Sequence, residues 1–265
     1  MIRRWLFTLS LLLGLCLLAC EKSPAPRAVG RSASAPDEFP QLIAAADACA
    51  GGGADCRALL TLRTRLEAKI SFTAEDLAAC LDAARTDAVQ YEIVRAYTPY
   101  ATSTMLPALK PLLTADDYSL RRAAQKAVAA IDSEEAIGAL LAVLQVADDE
   151  YRRYVPSLLA RQAKSDTVIA GLPEMIRLAE HTEDGVFRRG AVQAVGAAGE
   201  VAHLPWLMRE AQADDDLTVR IEAVKALAQY AKRPEVLDCL ARIAGEEKHE
   251  RLADLARRVA QGEAL

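Results

Sequence analysis

The chain has 265 residues, of which 52% are hydrophobic and only 5% aromatic, and its formal net charge is −5. Because an acidic protein gains no long-range attraction to polyanions, this charge argues against a protein that binds nucleic acid. Alanine and leucine are abundant, and β-branched runs bounded by glycine are scarce. We therefore expect an all-α protein.

The first twenty residues, MIRRWLFTLSLLLGLCLLAC, combine a short cationic start with an apolar stretch that ends at Cys20. About fifteen apolar residues are too few to span a bilayer comfortably, and they are typical of a secretory signal. The ending Leu17-Leu18-Ala19-Cys20 resembles the lipobox of bacterial lipoproteins. That resemblance implies cleavage after residue 19, lipidation of Cys20 by a diacylglyceryl group and usually a further acyl chain, and anchoring on a membrane. The alternative is an ordinary cleaved signal with a chance cysteine.

Residues 21–39 mix proline, serine, alanine and charge without periodicity, which is typical of a flexible tether. Glu21 stands where many lipoproteins retained in the enterobacterial inner membrane have aspartate, so the resemblance favours the outer membrane, facing the periplasm. We therefore predict a leader at 1–19, the lipidated Cys20 and its tether at 20–39, a helical hairpin cap at 40–72 and a repeat domain at 73–265.

Two apolar helical patterns flank three consecutive glycines at 51–53, which predicts the hairpin of the cap. Cys49 and Cys56 lie on either side of these glycines. Since disulfides persist in exported proteins, we predict a bond that joins the two helix ends. A metal site is not indicated, because no histidine or second cysteine pair stands nearby in the sequence. Cys80 and Cys239 fall on apolar helical faces and are predicted to be buried thiols.

Four segments share a frame in which an aspartate, an apolar residue, an arginine and two small or apolar residues recur at helical spacing. The arginines of this frame are spaced by 31, 36 and 32 residues and are Arg121, Arg152, Arg188 and Arg220. One period upstream, Gln90 takes the arginine position. Another amphipathic helix precedes each of these segments. Three of the preceding helices carry a Leu-Pro pair near their start, at Pro107, Pro173 and Pro205.

Helix pairs at a period of about 32 residues, each too small to bury its own apolar face, predict an α-solenoid of about six pairs. The pattern P-x-L…D-x-x-V-R-x-x-A-x-x-A-L resembles HEAT-like repeats over residues 73–262, in the short form shared with phycobilisome-lyase repeat proteins. In such solenoids the second helix of each pair lines the concave surface, and the recurrent Asp and Arg bond across turns and between repeats. The resemblance therefore implies a structural ladder of Asp117, Arg121, Asp148, Arg152, Asp184, Arg188, Asp216 and Arg220.

The helical wheel separates each recurrent arginine from the residue that follows it. In the segment that holds Arg121, the core face carries Leu120, Ala124, Ala127, Val128 and Ile131. The residue after each arginine, and the residue four further on, point away from this face. We predict that these residues form a basic stripe along the groove: Tyr91, Arg95, Arg122, Lys126, Arg153, Arg189 and Lys225. Ser157, Gln193 and Ile221 occupy equivalent positions.

The function of this stripe stays open between two interpretations. Simple solvation of the side chains is one, and a groove for an extended acidic segment of another protein is the other. Motifs for catalysis are not found, since the sequence has no G-x-S-x-G, H-E-x-x-H, P-loop or dinucleotide fingerprint. His181, His203 and His249 have no evident catalytic partner.

We therefore predict a non-enzyme with no cofactor, metal or small-molecule substrate. It would be a scaffold or adaptor, lipid-anchored to the cell envelope and facing the periplasm, that binds another protein through its groove. One alternative is an enzyme or lyase-like protein that acts on an envelope substrate in the groove, by analogy with helical-repeat lyases and glycosylases. The other is a passive spacer.

Overall fold

A computed structural model describes residues 38–50, 56–68, 73–146 and 148–263. The predicted leader at 1–19, Cys20, the tether as far as residue 37 and the glycines at 51–53 lie outside the described residues. Every regular element within the described ranges is helical, which confirms the predicted all-α class.

The α-helices are numbered α1 to α15 in chain order and run in consecutive pairs. The N-terminal cap consists of α1 and α2 (Glu38–Ala50 and Arg57–Glu67). Six pairs follow within the described residues: α3 and α4 (Ala74–Ala83, Asp87–Tyr97), α5 and α6 (Leu106–Leu109, Tyr118–Ala129), α7 with α8 and α9 (Glu134–Val143, Asp149–Arg152, Val155–Leu159), α10 and α11 (Asp166–Ala179, Gly185–Ala198), α12 and α13 (Leu204–Ala213, Leu217–Leu227), and α14 and α15 (Pro234–Glu246, Glu250–Ala260). Short 3-10 turns extend several of these helices, at Thr98–Tyr100, Ser103–Met105, Lys110–Thr114, Ala160–Gln162, Val201–His203 and Ala228–Tyr230.

The pairs stack side by side in two layers. In what we call the second layer, the contacts run in order from α2 to α4, α6, α9, α11, α13 and α15. In the first layer α1 packs on α3, α3 on α5, α7 on α10 and α12 on α14. The apolar faces meet between the layers, where the predicted core residues of α6 and its C-terminal turn are at most 2% exposed: Leu120, Ala124, Ala127, Val128 and Ile131. This stacking confirms the predicted α-solenoid.

Prolines account for two departures from the predicted helices. Pro156 divides the helix predicted for the third pair into α8 and α9, because proline has no N–H and its ring clashes with the carbonyl four residues earlier. Residues 153 and 154 form the turn between them. Pro173, predicted near a helix start, lies inside α10. The reason is that Ser165 caps this helix more than one turn before the proline. Pro107 and Pro205 do lie in first helical turns.

The N-terminal cap begins slightly earlier than predicted and carries a disulfide. Helix α1 starts at Glu38, inside the predicted tether, and the buried side chain of Phe39 belongs to the core. The structure joins Cys49 to Cys56 with a Cα–Cα distance of 5.6 Å. The other two cysteines in the described ranges, Cys80 and Cys239, are buried thiols.

Candidate functional site

The first of the two adjacent arginines in α6 is buried and bonded to the fold. Arg121 is 3% exposed, and its Nη1 donates to the carbonyl oxygens of Ala115 and Asp116 at 2.6 and 3.0 Å. Its Nη2 donates to Glu150 of the next pair at 3.0 Å. The guanidinium carbon lies 4.5 Å from the ring centroid of Tyr151. Arg121 therefore closes the turn before α6 and fastens it to the neighbouring pair.

The other recurrent arginines repeat this arrangement in part. Arg188 donates to the carbonyl of Thr182 at 3.1 Å and to Asp214 of the next pair through Nε at 2.9 Å. Arg220 bonds Glu247, which also belongs to the next pair. Arg152 differs, because its acidic partner Asp149 lies in its own helix α8.

The aspartates of the predicted ladder cap the helices that hold the recurrent arginines. Asp117, Asp148, Asp184 and Asp216 each accept hydrogen bonds from backbone N–H groups at the start of the following helix. These caps stabilise each helix start by about 1 kcal/mol, while other acids bind the recurrent arginines.

The second arginine of α6 lies among tyrosines. The guanidinium carbon of Arg122 is 3.7 Å from the ring centroid of Tyr154, and its Nη1 donates to the hydroxyl of Tyr118 at 3.2 Å. The Tyr118 hydroxyl donates to the Tyr154 hydroxyl at 3.0 Å. That hydrogen bond, together with the charges of Arg122 and Arg153, lowers the pKa of Tyr118. We call Tyr118, Arg122 and Tyr154 the tyrosine–arginine cluster.

A cavity of about 390 Å³ lies between α4 and α6 beside this cluster. Four residues of the predicted stripe line it together: Tyr91, Arg95, Arg122 and Lys126. Its remaining walls are Thr98, Pro99, Tyr118, Ser119 and Ala123. Three cations and no carboxylate are thus among the described residues that line the cavity.

Carboxylates neutralise some cations of the stripe. Arg95 donates to Glu92 through Nε at 3.1 Å and to Glu67 through Nη2 at 2.9 Å. Arg153 forms an ion pair with Asp184 at 3.0 Å, between Nε and Oδ2. These two arginines therefore have partners within the fold and are poor candidates for binding an external anion.

Three other cations of the stripe have no such partner among the described residues. Arg122, Lys126 and Arg189 form no ion pair with any carboxylate of the described residues. Lys225 differs, because its Nζ lies 2.8 Å from Glu222. The structure thus divides the predicted stripe into neutralised and unpaired cations, a distinction that the helical wheel does not provide.

The stripe is also less exposed than the helical wheel predicts. Arg122, Arg153 and Arg189 are half-buried, and Ile221 at an equivalent position is only 8% exposed. Neighbouring helices of the second layer pack side by side, so they cover the flanks of each outward-pointing side chain. Lys126 is exposed.

The sequence prediction missed the two tyrosines of the cluster. Tyr118 precedes Arg122 by four residues on one helix, so a pairing by helical spacing could have found it. Tyr154 stands beside Arg122 only because Pro156 ends α8 and redirects the chain, an effect that the predicted continuous helix excluded.

The family of the chain follows from its repeats. A family model described as HEAT repeats matches residues 74–158 and 172–260, more than half of the chain. The chain belongs to the HEAT repeat family. This match confirms the predicted HEAT-like repeats. No curated protein sequence is detectably similar to the chain.

Several solved structures are similar to the chain at low identity. One is a computationally designed armadillo repeat protein for modular peptide recognition, with 17% identity, coverage of 86% of this chain and 100% of that chain, and a TM-score of 0.45. Another is an engineered protein with 19% identity, coverage of 84% and 67%, and a TM-score of 0.48. A third is human deoxyhypusine hydroxylase in complex with glycerol, with 14% identity, coverage of 85% and 98%, and a TM-score of 0.34.

A second polar cluster of this HEAT repeat protein lies where α12 meets α13. Burial and a hydrogen bond to Asp214 raise the pKa of Glu210 to about 7. Asp214 is itself bound by Arg188, as described above, and its side chain is 2% exposed. None of the described helices is both long enough and apolar enough to cross a membrane.

Proposed function

We propose that this HEAT repeat protein is a scaffold or adaptor, lipid-anchored in the bacterial envelope and facing the periplasm. It binds another protein along the second layer of its solenoid and acts by binding rather than catalysis. The finer resemblance to the short repeats of phycobilisome lyases stays a prediction.

The observation that carries the binding proposal is the contrast between Arg121 and Arg122. Arg121 satisfies its guanidinium with two carbonyls and a carboxylate of the fold. Arg122 is held in place by two tyrosines and has no carboxylate partner among the described residues. In a protein with a net charge of −5, an oriented arginine without an acidic neighbour is best explained by an external anionic partner.

The anchor is proposed from the lipobox resemblance at Cys20. Acyl chains contribute about 0.8 kcal/mol per buried CH₂, and two or more chains hold a protein stably on a membrane. Replacing Cys20→Ala should therefore move the protein from the membrane fraction to the soluble fraction of broken cells. Cys16→Ala is the matched control and should leave it in the membrane fraction. Membrane residence of the Cys20→Ala protein would contradict the anchor.

The binding surface is tested by reversing the unpaired cations. We expect the variant Arg122→Glu, Lys126→Glu, Arg189→Glu to lose most of the partner that co-purifies with the wild type from detergent-solubilised envelopes. The reason is that reversal replaces attraction by repulsion at three points of one surface. Recovery is measured by quantitative mass spectrometry of the purified complex.

The control carries the same change in net charge at exposed cations elsewhere: Lys110→Glu, Arg161→Glu and Lys232→Glu. It should recover the partner as the wild type does, and both variants should melt at the wild-type temperature. Equal partner recovery by the two variants would refute the surface.

A further inference from the structure

We infer that the cavity between α4 and α6 is a receptor for an acidic peptide segment of the partner. A carboxylate of the segment binds to Arg122 and Lys126, and a neighbouring apolar side chain enters the cavity. This inference rests on the proposed binding function and names the chemistry of its ligand.

Arg122 has the geometry of a prepared carboxylate receptor. Its guanidinium lies on the ring of Tyr154 and one of its N–H groups is used by the Tyr118 hydroxyl. Stacking on an aromatic ring occupies the face of the guanidinium, so the N–H groups at its edge stay available. A fixed, planar fork of this kind binds a carboxylate with two parallel hydrogen bonds and loses little side-chain entropy in doing so.

Lys126 adds a second unpaired cation one helical turn away. Both side chains line the same cavity. Like charges four residues apart destabilise a helix by about 0.2–0.5 kcal/mol, so the pair does not serve the stability of α6. An anion bound between the two side chains would offset this repulsion. The pair of cations is therefore suited to binding an anion.

The side of the cavity formed by α4 differs in charge from the side formed by α6. Arg95 is already neutralised there by Glu92 and Glu67. The walls of the cavity also include Tyr91, Pro99 and Ala123. A volume of about 390 Å³ suits apolar side chains of a peptide and exceeds what a small inorganic anion requires. The cavity therefore favours a peptide in which an acidic residue stands beside an apolar one.

Selection from a random-peptide phage library tests this inference with a defined probe. The purified protein is the target, and affinities of the selected peptides are measured by fluorescence anisotropy. We expect Asp or Glu beside an apolar residue in the selected sequences. Arg122→Glu with Lys126→Glu should weaken these peptides by roughly tenfold or more, because a charge-assisted bidentate pair is lost. The charge-matched control Lys110→Glu with Arg161→Glu should bind them as the wild type does.

A second pair of variants tests the role of Tyr154 as a positioning residue. Tyr154→Phe keeps the ring beneath Arg122 and should retain peptide binding. Tyr154→Leu removes the ring and should weaken peptide binding several-fold. Its melting temperature should fall by less than that of the Arg121→Ala variant. Equal binding by both variants would refute the positioning role.

Several outcomes would overturn the inference. One is a set of selected peptides without acidic residues, and another is unchanged affinity after reversal at Arg122 and Lys126. Displacement of the peptides by soluble short-chain phosphatidylglycerol would assign the site to lipid head groups instead. Acidic peptides that lose affinity only with Arg189→Glu would overturn this cavity but leave the proposed scaffold function intact. If peptide selection fails and the wild type also recovers no partner, the result would count against both the cavity and the proposed scaffold function.

Discussion

Replacing Arg121→Ala is expected to lower the free energy of unfolding by about 2–4 kcal/mol. The substitution removes a buried guanidinium that donates to the carbonyls of Ala115 and Asp116 and packs on Tyr151. The ion pair with Glu150 adds little to this loss, because that carboxylate is 59% exposed and screened by solvent. Urea denaturation followed by circular dichroism measures the change.

The neighbouring substitution Arg122→Ala is the matched control for this prediction. It removes the contact with Tyr154 and the hydrogen bond to Tyr118, both at a partly solvated surface, so the expected loss is below about 1 kcal/mol. Because Arg121 joins two neighbouring pairs, its loss should also broaden the unfolding transition, as expected when one interface of a repeat array weakens. Equal destabilisation by the two substitutions would contradict their assigned roles.

The stability of the protein should fall as the pH rises from about 4.5 to about 7 because of Glu210. Its pKa is raised in the folded protein, so the folded state holds a proton that the unfolded state has released across this range. The stabilising contribution is therefore complete below the unfolded pKa of the side chain and is lost as the pH rises through the folded value. At 1.36 kcal/mol per unit of pKa, the loss is about 2–3 kcal/mol.

Glu210→Gln should remove this part of the pH dependence and stabilise the protein by about 1–3 kcal/mol at pH 8. Glutamine stays neutral and still offers an N–H donor to Asp214, which remains bound by Arg188. Thermal unfolding between pH 5 and pH 8 measures the effect. Glu246→Gln, at an exposed position of α14, should leave the pH dependence of the wild type unchanged. A wild-type pH dependence that persists in Glu210→Gln would refute the assignment.

The repeat architecture could be predicted because its signal is periodic. The arginine of each frame recurs with a core face behind it, and every pair predicted from that frame is present in the described residues. The acids that bind these arginines could not be predicted, since Glu150, Asp214 and Glu247 occupy different positions relative to their helices. Which acid binds each arginine depends on how the turns of neighbouring pairs pack together. The residue spacing within one repeat does not predict this packing.

The sequence predicted the cations of the candidate site but not the tyrosine that holds Arg122. Helical spacing placed Arg122 and Lys126 on one surface, and the structure gives them a common cavity. The contact with Tyr154 depends on the helix break at Pro156, a tertiary consequence of one residue. The raised pKa of Glu210 likewise depends on burial against Asp214, and no sequence pattern marks it.

Site-specific photocrosslinking in intact cells tests most directly whether the second layer binds a partner. A benzophenone amino acid is placed at position 126, which lines the cavity, or at position 142, an exposed position of the first layer. We predict a discrete crosslinked protein from position 126 after irradiation and none from position 142. Crosslinks of equal yield from both positions, or from position 142 alone, would contradict the proposal that this protein acts through its second layer.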